Sequence, residues 1–161
     1  MVFIGIDPGG GIGVIDHNGT IIETIDIAQG ISFYKLINTT YQAWLCIEQS
    51  ISRPRDGHSS AFTNGRKYGE YIMALEIIKS QHPSFDYMTV HPATWKADFK
   101  LNKDKELSRK LCINIWGEDC TKYFTGARGA FQDGKAEALL LAWYGKSYFD
   151  RQLKISIASR G

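Results

Sequence analysis

Residues 2–13 read VFIGIDPGGGIG, an apolar run that meets one carboxylate, Asp7, and then breaks into Pro8 and the glycines Gly9 to Gly11. A continuous apolar run of this length, closed by turn formers, predicts a central buried strand in preference to a helix. Asp7 stands where the chain must turn, so its carboxylate is expected at a sheet edge, beside glycines that let another group approach the backbone closely. Read alone, Asp7 is equally a turn aspartate ahead of proline. Two more isolated acids in similarly apolar settings decide between those readings.

The chain has 161 residues, which predicts one domain, 1–161, large enough for a full hydrophobic core. It contains no run of 18 apolar residues, and its start lacks the basic-then-apolar layout of a secretion signal. The expectation is a soluble cytoplasmic protein with no membrane partner, with an organellar origin also open. Cys46, Cys112 and Cys120 are odd in number and match no zinc spacing, so they read as core or incidental thiols of a reducing compartment. The net charge of +2 hides an asymmetry: residues 1–50 sum to −4 and residues 51–161 to +6. An acidic centre flanked by basic surface is how a metal-dependent site meets a polyphosphate, although ordinary solvated charge gives the same sums.

Outward from the first strand, Ile12 to Ile15 predicts a second strand, His17-Asn18-Gly19 a hairpin-type turn, and Thr20 to Ile27 a third strand. Phe33, Leu36, Ile37 and Tyr41 have helical spacing, which predicts a crossover helix over residues 30–43. Trp44 to Ile47 is then another short apolar run that ends in an acid, Glu48. A helical crossover lays this strand parallel to the first, so Asp7 and Glu48 project from the same ends of two parallel strands. Two carboxylates that close repel unless a cation lies between them. The alternative for Glu48 is an exposed strand-end acid paired with a lysine.

Ile51 to Gly65 is polar and rich in turn formers, predicting a loop that carries Arg53 and Arg55. Tyr68, Tyr71, Ile72, Leu75 and Ile78 mark an amphipathic helix ending near Ser80. A brief strand is expected at Met88 to Val90. The helix after Asn102 sets Leu107, Leu111, Cys112 and Ile115 against Lys103, Lys105, Arg109 and Lys110, a basic side that either touches phosphates or faces water. Gln132 to Trp143, QDGKAEALLLAW, predicts a helix with Asp133 and Glu137 four apart on one face, bordering a buried stripe of Ala136, Leu139, Leu140 and Trp143. Asp133 suits a first helical turn through the helix dipole; Glu137, one turn further in, has no such explanation. Lys135 projects elsewhere, to a phosphate or to solvent.

Asp7, Glu48, Asp133 and Glu137 together offer oxygen ligands with no histidine or cysteine cluster, which suits Mg²⁺, with Mn²⁺ as a substitute, better than zinc. Two such ions about 4 Å apart clamp a phosphodiester for in-line attack by water. The expected chemistry is phosphodiester hydrolysis.

The order of parts resembles the RuvC-like Holliday-junction resolvases of the ribonuclease H-like superfamily. The resemblance rests on the G-I-D-P-G start, the three-stranded meander, the strand ending in Glu48-Gln49 and the D-G-K-A-E-A-L-L-L-A helix, and covers nearly the whole chain. It extends to residues 60–69, SAFTNGRKYG, to Pro92-Ala93-Thr94-Trp95-Lys96, and to Asp104-Lys105-Glu106 with Ser108-Arg109, segments most similar to the shorter members from phages, some bacteria and organelles. It implies an α/β fold of ribonuclease H-like type: a mixed five-stranded sheet, antiparallel meander then parallel strands, with helices on both faces. It also implies that Asp7, Glu48, Asp133 and Glu137 are the four acidic metal ligands, with two Mg²⁺ per site. One departure is that well-studied bacterial members end in two aspartates three residues apart, whereas Glu137 lies four after Asp133; both spacings keep neighbours on one helix face.

Ile51, three residues after Glu48, falls where bacterial members place an aromatic wedge that opens the junction; an ordinary loop residue is the other reading. The family is dimeric, since symmetric nicks in a two-fold junction ask for two sites related by a two-fold axis. The expected partners are therefore four-way branched DNA and a second copy of the chain. Candidate DNA contacts are Ile51, Arg53, Arg55, Arg66, Lys67, Lys96, Lys103, Lys105 and Lys135, acting through shape and backbone charge. Two alternatives stay open on sequence: a related nuclease acting on forks, flaps or RNA–DNA hybrids, and a non-catalytic junction-binding domain or actin-like phosphotransferase.

Overall fold

The computed structural model describes residues 1–26, 42–51 and 57–159, arranged on one five-stranded sheet. In chain order the strands are β1 (Val2–Asp7), β2 (Gly11–Asp16), β3 (Ile21–Ile25), β4 (Ala43–Glu48) and β5 (Phe85–Val90). Their spatial order is β3-β2-β1-β4-β5. β1–β2 and β2–β3 pair antiparallel, while β1–β4 and β4–β5 pair parallel. The fold is therefore the mixed sheet expected, a meander followed by parallel strands.

Alternation along each strand assigns every side chain to a face. Ile4, Ile6, Leu45 and Ile47 point to one side, where they meet Leu75 and Ile78 of α1 (His58–Gln81). Phe3 and Cys46 point to the other, onto the stripe Ala136, Leu139, Leu140 and Ala142 of α4 (Asp133–Ala158). Between β5 and α4 run the short α2 (Pro92–Asp98), α3 (Lys105–Trp116) and a 3₁₀ turn (Glu118–Tyr123). Trp95 and Cys112 carry α2 and α3 into the same core as α4. Helices thus cover both faces, and among the described residues none is long and apolar enough to cross a membrane.

α4 lies unusually close to the sheet because the strand residues beneath it are glycines. A Cβ on Gly13 would stand 2.5 Å from the Leu139 amide nitrogen, and one on Gly5 would overlap the Ala138 carbonyl. At the head of the helix, Gly134 and Gly10 meet backbone to backbone. Asp16 closes the β2–β3 turn, its Oδ1 accepting from the amides of Asn18 at 2.9 Å and Thr20 at 2.8 Å. Asp16 is thus a turn acid, held by its own hairpin.

Several boundaries differ from expectation. The third strand is shorter, Ile21–Ile25, since Thr20 is held in the turn by Asp16. The crossover helix expected over residues 30–43 falls mostly on residues 27–41, outside those described, while Ala43 belongs to β4. Residues 58–65, expected as loop, are the first turns of α1: His58 to Asn64 contains no proline, and exposed Gly65 is tolerated within a long helix. β5 begins three residues early, at Phe85, because parallel pairing with β4 supplies partners along its length. α4 runs on to Ala158, far beyond Trp143. The three cysteines are buried and free, and burial pushes the thiols of Cys46 and Cys112 well up, as expected of inert core residues.

Gly13→Ala is expected to destabilise the fold by about 3 kcal/mol or more, because the methyl meets helix backbone, which cannot rotate away. Urea unfolding measures it; a midpoint equal to wild type would show that α4 can lift off the sheet at no cost.

Candidate functional site

Asp7 and Glu48 are the last residues of β1 and β4, one step beyond the parallel pair Ile6↔Ile47. Ile6 and Ile47 face α1, so period-two alternation turns both acids to the α4 face. There the glycine-seated head of α4 brings Asp133 and Glu137. Asp7 and Glu48 line a hollow of about 280 Å³ with Gly9, Ser50, Asn64 and Pro92. Asp133 and Glu137 line an adjoining, wider hollow of about 820 Å³ with Lys96, Lys103 and Lys105. Ile51 and Pro92 form the wall common to both.

The electrostatics of Asp7 report this convergence. Its pKa is raised from 3.8 to about 6, first by desolvation and then by the charges of Glu48 and Glu137, against the Gly9 amide and Lys96, which lower it. The Gly9 amide donates to Asp7 Oδ1 at 2.9 Å, so one carboxylate oxygen is held by its own turn. Each of the other acids has a fixed partner. The Trp95 indole Nε1 donates to Glu48 Oε2 at 2.7 Å. Glu137 takes Lys96 Nζ on Oε2 at 2.7 Å and the buried Ser108 hydroxyl on Oε1 at 3.4 Å. Asp133 Oδ2 pairs with Lys105 Nζ at 2.7 Å, which raises the lysine's pKa.

All-oxygen donors of this kind suit a hard divalent cation, and the raised Asp7 pKa marks negative charge that a cation would relieve. Among the described residues, no three acids, histidines or cysteines are drawn close enough to grip a metal ion. Lys96 and Lys105 supply the positive charge at Glu137 and Asp133 instead. The donors fit such an ion by their chemistry, whereas their placement, with Lys96 on Glu137 and Lys105 on Asp133, does not gather three of them around one point.

The remaining candidates are scattered. Lys103 and Lys105 border the wider hollow and Ile51 borders both. Arg66 is exposed on α1 and pairs with Glu70 at 3.6 Å, with Lys67 beside it on the same helix. Lys135 turns away from the acids, its stem against Gly11 and its Nζ 3.1 Å from Asp26. Arg53 and Arg55 lie outside the described residues. Sequence reading by charge alone missed Trp95 and Ser108 as partners of the acids. Both lie in segments it had singled out, and an indole two residues beyond Ala93 on a capped helix was the available signal.

No family model matches the chain, and no curated protein matches it. Among solved structures it is similar to a Thermus thermophilus RuvC structure, with a TM-score of 0.59 and 16% identity over 96% of this chain and 97% of that one. It is also similar to T. thermophilus RuvC in complex with a Holliday junction substrate, with a TM-score of 0.58 and 16% identity over 88% and 90% of the two chains. The fold is RuvC-like, of ribonuclease H-like type.

Asp7 carries the test of the site's electrostatics. Its folded pKa lies above the ordinary value, so the penalty on the metal-free protein is absent below about pH 4 and complete above about pH 6. Asp7→Asn is therefore expected to raise metal-free stability at pH 7.5 by up to about 3 kcal/mol, with the gain shrinking as pH falls through 6. Thermal unfolding at pH 5 and 7.5 measures this; equal stabilities at pH 7.5 would mean that neither burial nor the neighbouring acids penalise the ionised Asp7.

Proposed function

We propose that this chain is a divalent-metal-dependent DNA endonuclease that resolves four-way junctions by paired symmetric nicks. The observation that carries the reading is that, on a RuvC-like fold, the strand-end acids Asp7 and Glu48 lie within electrostatic reach of one another and Asp7 within reach of Glu137, with Asp133 one turn earlier on α4 lining the adjoining hollow. A solved RuvC of the same fold is in complex with a Holliday junction substrate, which supports branched DNA as the ligand.

Asp7, Glu48, Glu137 and Asp133 are the residues that would hold Mg²⁺ or Mn²⁺, two ions per site. When bound, such ions supply a nucleophilic water and charge stabilisation for phosphodiester hydrolysis. The chain's own part is to hold these acids ionised and oriented. Trp95 and Ser108 reach Glu48 and Glu137 from the core. Lys96 and Lys105, paired with acids in the free protein, are within a side chain's swing of a phosphate seated in the wider hollow. Those pairs would offset the charge of Glu137 and Asp133 until DNA arrives. Lys103, Arg66 and Lys67 extend the basic surface for the backbone, and Ile51 stands at the lip of both hollows as the wedge candidate. Each nick leaves a 5′-phosphate and a 3′-hydroxyl, and a homodimer supplies the second site.

The test is nicking of a synthetic four-way junction over a Mg²⁺ series, beside fork, flap and RNA–DNA hybrid substrates. Asp7→Asn and Glu48→Gln are expected to lower the rate at least about 100-fold, as loss of a catalytic electrostatic group does. Undiminished cutting by either variant would remove the site assignment; equal cutting of hybrids and junctions would shift the substrate to the wider class. Binding is expected to weaken steeply with salt, and Lys103→Ala to flatten the log–log slope by about one.

A further inference from the structure

Trp95 is the largest fully buried side chain in the protein. An indole in a core needs an acceptor for its N–H, and here the acceptor is a carboxylate, Glu48 Oε2 at 2.7 Å. The ring has little freedom. It packs edge-on against Phe99 at 6.1 Å, which packs in turn against Tyr144 at 6.1 Å. The ammonium of Lys96 lies 5.1 Å from the indole ring. α2 itself is set by Pro92 in its first turn and by His91 Nδ1 accepting from the Ala93 amide. Adjacent residues of one short helix thus hold acids from two different elements: Trp95 holds Glu48 of β4, and Lys96 holds Glu137 of α4.

We propose that Trp95 is a positioning residue, its indole N–H fixing the Glu48 carboxylate by one oxygen so that the other is presented to a divalent cation in the hollow beside Asp7. The proposal rests on the reading of Glu48 as a cation ligand given above. A glutamate at a strand end has a flexible stem, and solvent-exposed partners would leave its carboxylate in several orientations. A donor locked in the core selects one. Hydrogen bonds to metal-binding carboxylates are commonly worth about 10- to 100-fold in metal affinity.

The test replaces Trp95 with 3-benzothienylalanine, in which sulfur takes the place of the N–H while the ring keeps its shape. Mn²⁺ binding to the DNA-free protein is read by calorimetry. Affinity is expected to fall about 10- to 100-fold, with junction nicking slowed at limiting Mn²⁺ and restored at saturating Mn²⁺. Wild-type affinity in the variant overturns the proposal, and so does a rate deficit that saturating Mn²⁺ leaves in place. A second measurement needs no variant: the Trp95 indole ¹H–¹⁵N resonance of the unmodified protein is expected to move on Mg²⁺ titration, and a stationary resonance overturns the proposal equally. Wild-type protein that takes up no Mn²⁺ would be a separate failure, that of the four acids as ligands.

Discussion

The close seating of α4 on the sheet is the constraint on which the site depends. Helices normally stand off a sheet by the thickness of the side chains between them. Here Gly5 and Gly13 remove that layer beneath Ala138 and Leu139, and Gly10 removes it beneath Gly134. The head of the helix therefore comes down onto the ends of β1 and β2, where an ordinary residue would hold it away. Glu137 comes within electrostatic reach of Asp7 because backbone meets backbone at these points. The glycine-rich turn after Asp7 thus also serves as the surface on which a distant helix lands.

Bringing carboxylates together is unfavourable, and the structure shows how the cost is met. Asp7, partly buried and near two other acids, has its pKa raised to about 6. Glu137 and Asp133 are neutralised by Lys96 and Lys105, and Glu48 takes a hydrogen bond from an indole. Trp95, Lys96, Lys105 and Ser108, which hold Glu48, Glu137 and Asp133, all belong to α2 and α3, so these two helices bracket the three acids. A fold selected for stability alone would place apolar residues at these strand ends.

Much of the fold was legible because its periods are local. VFIGID and AWLCIE are short apolar runs, and His17-Asn18-Gly19 has the composition of a hairpin turn. The Ala136–Leu139–Leu140 stripe is helical on sight. The start of α1 was not legible, since His58 to Asn64 has the composition of a loop and becomes helical as the leading end of a helix anchored by Leu75 and Ile78. The length of α4 was hidden in the same way, because its last turns, with Leu153, Ile155 and Ile157 exposed, carry no clear apolar stripe. Lys135 illustrates the limit at side-chain scale: beside Asp133 in sequence, it points to Asp26 because the helix turns it toward the edge of β3.

The amino-acid order alone determined which residues are acids in apolar company, which strands end in them, and that Asp133 and Glu137 share a helix face, since all of these follow from spacing within a few residues. Which acids meet, and what holds them, was decided by tertiary structure. Asp7 feels Glu48 because β4 pairs parallel with β1, and Glu137 because α4 seats on glycines far from it in the chain. Glu48 meets Trp95 because parallel pairing of β4 with β5 delivers α2 to its side. Those distances arise from packing between elements, which no local pattern of residues encodes.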